Sequence, residues 1–431
     1  MELIVNPPRR TWPALVERNI PDDQAIEGRV ADIVARVRNG GDAALRALTL
    51  EIDGAEIGSV ELSPDERAAA VAAVSPEVRT AVAQAAANIA AFHEAQRSQP
   101  VEVETMPGVR CRQRAVPIRR VGLYIPGGRA PLFSTVLMLG LPARIAGCPE
   151  VVLCTPEGRT GHIAPEIVYA AQVCGISRIF RVGGAQAVAA MAYGTESVPR
   201  VDKIFGPGNR YVTKAKQLVS RHVAIDMPAG PSEVLVMADA GARPDFVASD
   251  LLSQAEHGPD SQAILVCGDE AFARAALAEV ERQAALLPRA ESVAGSLAHS
   301  RIIVLPTRGE MIDFANTYAP EHLIVAMDDA WAVAGEITAA GSVFVGHYSP
   351  ESAGDYASGT NHTLPTGGWA RSLPGVNLDS FQHKITYQEL TLAGLRLLAP
   401  TIETLARAEG LDAHARAVGV RVAAVSAAEG E

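Results

Sequence analysis

The chain is poor in what disulfide frameworks, membrane spans and nucleic-acid surfaces require. Its 431 residues include five cysteines, Cys111, Cys148, Cys154, Cys174 and Cys267, an odd number with no C-x-x-C among them. That scatter excludes a disulfide framework and a thiolate metal site, and the cysteines read as small buried hydrophobes of a cytoplasmic protein. No apolar run approaches the length needed to cross a bilayer. The opening "MELIVNPPRRTWPALVERN" lacks a basic segment followed by an apolar one, so no signal peptide is expected. Positive charge is in deficit too: the formal net charge of -11 argues against a phosphate-binding surface for nucleic acid. The standard nucleotide fingerprints are also missing. In "GPGNRY", from Gly206, Tyr211 stands where the third glycine of G-x-G-x-x-G belongs, and no G-x-x-x-x-G-K-[ST] occurs.

What remains is an ordinary globular composition, 48% hydrophobic and 20% charged, with length enough for two or three domains. The N-terminal part reads helical: "SPDERAAAVAAV" opens with Ser63 and Glu66 in capping-box register, and an Ala-rich run continues toward His93. From about residue 120 short apolar runs alternate with helical stretches. "VGLYI", "VVLCT", "RIFRV", "KIFG" and "VAIDM" form one series, and "VLVMAD", "AILVCGD", "RIIVLP", "HLIVAM" and "GSVFVG" a second. Near-continuous apolar strands between helices predict mostly parallel sheets covered on both faces. The expected fold is therefore α/β, with two doubly wound, incomplete Rossmann-like lobes. From residue 377 the strand texture fades into a small helical tail. Open α/β sheets bind ligands at the carboxyl ends of their strands. That rule points to the turns "YIPGGRAP", "VGGAQA", "FGPGNR", "DMPAGPSE" and "GHYSPESAGDYASGTNH", and it puts Glu321-His322 of "YAPEHLIV" at the same ligand-binding edge.

Three stretches carry candidate chemistry. Glu321 and His322 set an acid beside a base where a buried strand begins, either as water-facing loop residues or as an acid–base pair at a pocket mouth. In "LLSQAEHGPD", Gln254 and His257 lie three apart on an expected helix, so both project from one face. They suit either a metal or a hydrogen-bonding role. "PESAGDYASGTNHTLP" gathers Glu351, Asp355, Asn361 and His362 among small residues without periodicity, which favours a site loop over a linker. His414, like His93, His162, His222, His299, His347 and His383, has no suggestive neighbour in sequence. Two His, one Asp and one amide oxygen (His257, His414, Asp355 and Gln254) nevertheless compose a nitrogen and oxygen donor set that suits zinc or a neighbouring divalent metal. Spacing over such distances leaves their gathering open.

These segments taken together, with "GGAQAVAAMAYGTESVPRVDKIFGPGN", "IDMPAGPSEVLV" and "AEGLDAHARAV", resemble the histidinol dehydrogenase family from about residue 25 to residue 425. The resemblance implies oxidation of L-histidinol through the aldehyde to L-histidine with two NAD⁺ in succession, in amino-acid biosynthesis. It implies one zinc ion per subunit, held by Gln254, His257, Asp355 and His414, and Glu321 and His322 as the catalytic acid–base pair. Ser232, His362 and Glu409 match substrate contacts, joined by the zinc ligands and His322. Tyr124, Gln186 and Asn209 match positions that hold the nicotinamide cofactor. A homodimer is implied, with part of the C-terminal tail serving the partner subunit. The domain reading is an N-terminal extension over 1–24, then a metal and catalytic lobe over 25–120 and 232–376. A cofactor-binding lobe covers 121–231, and a small helical domain 377–431. Departures from the family pattern lie around Trp369 and in "PEGRTGHIAPE", away from the presumed ligands. Two rivals remain: a dehydrogenase of the same fold for another small hydroxylated substrate such as a sulfonated diol, and a metal-dependent binding protein without catalysis.

Overall fold

A computed structural model describes residues 1–18, 24–127, 131–158, 161–228 and 230–428. Parts of "YIPGGRAP", "DMPAGPSE" and "PEGRTGHIAPE" (Gly128 to Ala130, Ala229, Arg159 and Thr160) thus lie outside the described residues. By contacts the chain forms two units, residues 1–96 with 118–381 and residues 97–117 with 382–431. In chain order the strands are β1 (Glu2–Val5), β2 (Val101–Met106), β3 (Val109–Pro117), β4 (Arg120–Tyr124), β5 (Glu150–Cys154), β6 (Arg178–Phe180), β7 (Lys203–Phe205), β8 (Ala224–Ile225), β9 (Glu233–Ala238), β10 (Gln262–Cys267), β11 (Arg301–Val304), β12 (His322–Ala326), β13 (Ser342–Val345) and β14 (Gln382–Leu390).

The first unit holds two parallel sheets. One is ordered β6-β5-β4-β7-β8 and the other β1-β11-β10-β9-β12-β13. Setting aside the edge strand β1, both follow the same 3-2-1-4-5 winding, with the direction of winding reversing between the first and fourth strands. In the five-stranded sheet that reversal falls between β4 and β7, and in the six-stranded sheet between β9 and β12. Side chains alternate as a pleated strand requires. Val121 and Leu123 of β4 pack into one core with the helix Phe133–Ala146, whereas Tyr124 enters the opposite core with the helices Gly184–Tyr193 and Arg210–Val219. Val234 and Val236 of β9 face one way and Leu235 and Met237 the other. Both faces are covered, which is why these strands read as continuous apolar runs. The mostly parallel α/β architecture expected from sequence is the one observed.

The N-terminal helices form as their signals dictate. Ser63 caps Pro64–Ala73 by accepting from the Glu66 backbone N–H, and the Glu66 carboxylate accepts in return from the Ser63 N–H. A second helix, Pro76–Glu94, starts from Ser75. His93 is fully buried in it, donating through Nδ1 to the Ile89 carbonyl, 2.8 Å away. It is a satisfied core histidine. Cys154, Cys174 and Cys267 are buried as expected, while Cys111 and Cys148 are only half-buried, and all five are free.

The second unit departs from the expected purely helical tail. Before the helices Leu392–Ala408 and Asp412–Ala428 comes the nine-residue β14, paired antiparallel to β3, which in turn pairs with β2. Every residue of β14 after Gln382 is exposed, so this strand carries no buried apolar stripe for the sequence to display.

Candidate active site

A cleft of about 1250 Å³ opens between the two lobes of the first unit. The five-stranded lobe lines it with Tyr124, the last residue of β4, and with residues that follow its strands: Pro126, Pro156, Gly184, Gln186 and Asn209. These are the carboxyl ends the winding rule selects. Gly206, at the reversal between β4 and β7, has φ of 130°, and a Cβ there would lie 2.0 Å from the Tyr124 carbonyl oxygen. No other residue fits this turn. The Lys216 ammonium and the Asp226 carboxylate, both fully buried, pair behind it. Lys216 donates to the Gly206 carbonyl at 3.0 Å and Asp226 accepts from the Gly206 N–H at 2.8 Å. Tyr124 is buried and its hydroxyl accepts from the Gly184 N–H at 3.2 Å. Burial pushes that phenol up to about 12. The Asn209 side-chain oxygen caps the helix Arg210–Val219 through Tyr211 and Val212, at 3.0 and 3.2 Å. All three residues expected at the cofactor thus line one cleft.

On the other lobe the expectation needs correcting. The acid–base pair lies at the amino edge of the six-stranded sheet, not at its carboxyl edge: His322 is the first residue of β12 and Glu233 the first of β9. The two lobes therefore present opposite sheet edges to the cleft. The carboxyl edge of the six-stranded sheet instead carries Asp239, Asp328 and His347, of which Asp328 is exposed.

Two local corrections accompany this. The helix holding Gln254 ends at Ala255, and His257 follows in a turn closed by its N–H to the Gln254 carbonyl at 3.2 Å. Gln254 and His257 therefore meet through a turn rather than along a helix face. The stretch read as irregular begins with a helix, Glu351–Tyr356, whose i,i+4 spacing sets Glu351 and Asp355 on one side. Ligand atoms of His257, Glu351 and Asp355 all lie within 4.8 Å of one another. Gln254 is wholly buried, and neither its amide oxygen nor its amide nitrogen has a hydrogen-bond partner. Both oxygens of the buried Glu351 are likewise unpartnered. Buried polar atoms left unpaired are costly, and those of Glu351 lie with a His and an Asp, while the Gln254 amide is three residues before that His. That donor set fits a divalent cation.

His322 completes the constellation. Its Nδ1 lies 3.7 Å from Glu321 and 3.8 Å from Glu351, and its Nε2 lies 3.6 Å from Asp355. Burial by itself would lower this imidazole, but Glu351, Glu321 and Asp355 together push it up to about 10. Burial pushes Glu321 up to about 7, partly offset by His322, and Glu351 up to about 8. Asp355 goes the other way: the nearby His322 outweighs burial and holds its carboxyl below the usual range. His257 is lowered, first by the desolvating walls around it, although the residue itself reaches the surface.

His362 sits beside Asp355. Its Nδ1 donates to the Asp355 carbonyl at 2.7 Å, which leaves Nε2 to accept from the Thr135 hydroxyl at 3.1 Å. Ser232, half-buried, directly precedes Glu233. Glu409 and His414 belong to the second unit, at the end of one helix and the start of the next. Glu351 is the residue to which sequence reasoning gave no role. The i,i+4 spacing in "ESAGD" was the available signal, obscured by the small residues between.

A family model described as histidinol dehydrogenase matches residues 16–422. The chain is 54% identical over 423 residues to the histidinol dehydrogenase of Bacteroides fragilis (strain YCH46), covering 98% of this chain and 99% of that one. To the enzyme of the same name from Salmonella typhimurium it is 55% identical over 421 residues, 97% and 96% of the two chains. The chain belongs to the histidinol dehydrogenase family. A solved histidinol dehydrogenase from Elizabethkingia anophelis superposes with a TM-score of 0.96 at 50% identity, covering 99% of both chains. An acetylating aldehyde dehydrogenase from Geobacillus thermoglucosidasius, 15% identical over 88% of this chain and 94% of that one with a TM-score of 0.50, shares the fold alone. Histidinol dehydrogenase relatives of such identity over nearly the full length do not favour the sulfonated-diol alternative. Among the described residues no helix is long and apolar enough to cross a membrane.

Proposed function

We propose that this member of the family oxidises L-histidinol to L-histidine through L-histidinaldehyde, in two hydride transfers to NAD⁺ at one zinc-containing site. The observation that carries the reading is the cluster of His257, Glu351 and Asp355 beside the Glu321-His322 pair, with the unpartnered Gln254 amide three residues before His257, which itself lines a cleft whose far wall holds Tyr124, Gln186 and Asn209. Gln254, His257 and Asp355 would hold the zinc ion, with His414 as a fourth ligand contributed by a partner subunit. When bound, the ion supplies a template that clamps and orients the amino-alcohol.

The remaining work falls to side chains. His322 accepts the hydroxyl proton as hydride departs toward the nicotinamide held along Tyr124, Gln186 and Asn209. It is free to do so once Asp355 and Glu351 are neutralised, because those carboxylates are among the groups that keep it protonated. The aldehyde must add water before a second hydride can leave. Glu321, poised at about 7, takes a proton from that water. Ser232 and His362 hold the rest of the substrate, together with the Glu409 carboxylate contributed, like His414, by a partner subunit.

The test is NADH formation, followed by absorbance, from L-histidinol with and without a chelator. Two NADH per histidinol, lost on chelation and restored by zinc, is the expected result. A native protein that forms no NADH from histidinol would sink the reading.

A further inference from the structure

The acid–base pair is tied to the N-terminal arm through one guanidinium. Arg18, following the short helix Trp12–Leu15, is mostly buried, and its Nε and Nη2 donate to the two oxygens of the buried Glu233 at 2.8 and 2.9 Å. Nη2 also donates to the Tyr318 carbonyl at 2.6 Å, and the guanidinium lies 3.9 Å from the centre of the Tyr318 ring. The Tyr318 hydroxyl is fixed in turn, donating to Gln262 at 2.8 Å.

Both ends of this clamp lead into the site. The Glu233 N–H donates to the Glu321 carboxylate at 3.0 Å, and the Glu233 carbonyl lies 3.4 Å from His322 Nδ1. On the other side, Tyr318 and Ala319 lead through Pro320 directly into Glu321 and His322. Ala319 has φ of 52°, a left-handed conformation that an alanine adopts only when its surroundings hold it there. We propose that Arg18 is a positioning residue for Glu321 and His322. It holds the strand start that hydrogen-bonds both groups and the strained turn that delivers them. It also compensates the buried Glu233 charge beside Glu321, which would otherwise be unpaired. Only a planar fork spans the two carboxylate oxygens while reaching the Tyr318 carbonyl; an ammonium is a point charge.

The proposal rests on the reading of Glu321 and His322 as the reacting groups. It is tested by steady-state NADH formation from L-histidinol with the native protein and the Arg18→Met and Arg18→Lys variants. Arg9→Ala serves as the control, since it loosens the same arm by removing an exposed pair with Asp313. Misplaced reacting groups lower kcat, not affinity. Arg18→Met should lose about tenfold or more in kcat, with KM for histidinol within about threefold of native and metal content unchanged by elemental analysis. Arg18→Lys should recover part of that loss, and Arg9→Ala should retain native kcat. The proposal is overturned if both Arg18 variants, folded by circular dichroism, keep kcat within about twofold of native, or if kcat falls only in step with lost metal. Should Arg18→Met fail to fold, Arg18→Lys decides by the same criterion. A native protein without histidinol-dependent NADH formation removes the reading of the site itself, and the proposal with it.

Discussion

His322 stands among three carboxylates within 4 Å, a surplus of negative charge that either a proton or a metal ion can satisfy. This competition orders the expected effects of substitution. His322→Asn should slow histidinol oxidation by about 10²–10⁴-fold, the usual worth of a positioned base, with zinc content intact. Loss of zinc instead would identify His322 as a metal ligand. Glu321→Gln should damage the second oxidation more than the first, because only the second needs an activated water. Rates measured separately with histidinol and with added histidinaldehyde check this, and equal damage to both would refute the water-activating role. Glu321 and His322 were readable in sequence because chain connectivity alone makes them neighbours. The candidate cation donors were harder to read, since His257 follows the helix of Gln254 in a turn and Glu351 joins Asp355 only once a short helix forms from residues poor in apolar signal.

At the level of single elements, the capping box on Pro64–Ala73 also reaches across to the five-stranded sheet. The Glu66 carboxylate accepts from Arg181 at 2.7 Å as well as from the Ser63 N–H, and these partners hold it at about 2. A carboxylate held below its unfolded value of 4.5 adds stability above that pH and loses it as pH falls toward 2. Glu66→Gln should therefore lower the melting temperature at neutral pH, by a gap that closes as pH falls below about 4.5. A gap independent of pH would assign the effect to packing. The buried Lys216–Asp226 pair bracing the Gly206 turn predicts a larger effect. Lys216→Met leaves Asp226 buried without its partner and should cost about 3–5 kcal/mol in denaturant unfolding. Strands β4 to β13 of the two parallel sheets were legible as apolar runs, most of them buried on both faces, whereas β1, partly exposed at the edge of its sheet, reads as part of an N-terminal extension. β14 and most of β2 are exposed and lack such runs, so the antiparallel sheet of the second unit left little trace. The edge at which the acid–base pair sits was misread for a different reason. The winding rule describes one sheet, and the six-stranded sheet here turns its amino edge to the cleft formed with its neighbour.

For the molecule as a whole, the assignment of Glu409 and His414 to a partner subunit's site predicts behaviour that no single chain can show. Glu321→Gln impairs the acid–base part of a site, and His414→Asn impairs the part supplied by the tail, so each homodimer should be poorly active alone. In a mixed dimer both defects fall on one site, and the other receives an intact Glu321 from one chain and an intact His414 from its partner. Unfolding and refolding the two variants together in equal amounts makes half the dimers mixed at random pairing, each with one sound site of two. The mixture should recover about a quarter of native activity, against almost none when the same variants are refolded apart. If each chain instead supplied its own His414, every site in the mixed dimer would keep one defect and no activity would return. The same refolded native sample, weighed by sedimentation, should give twice the 45.2 kDa of the chain.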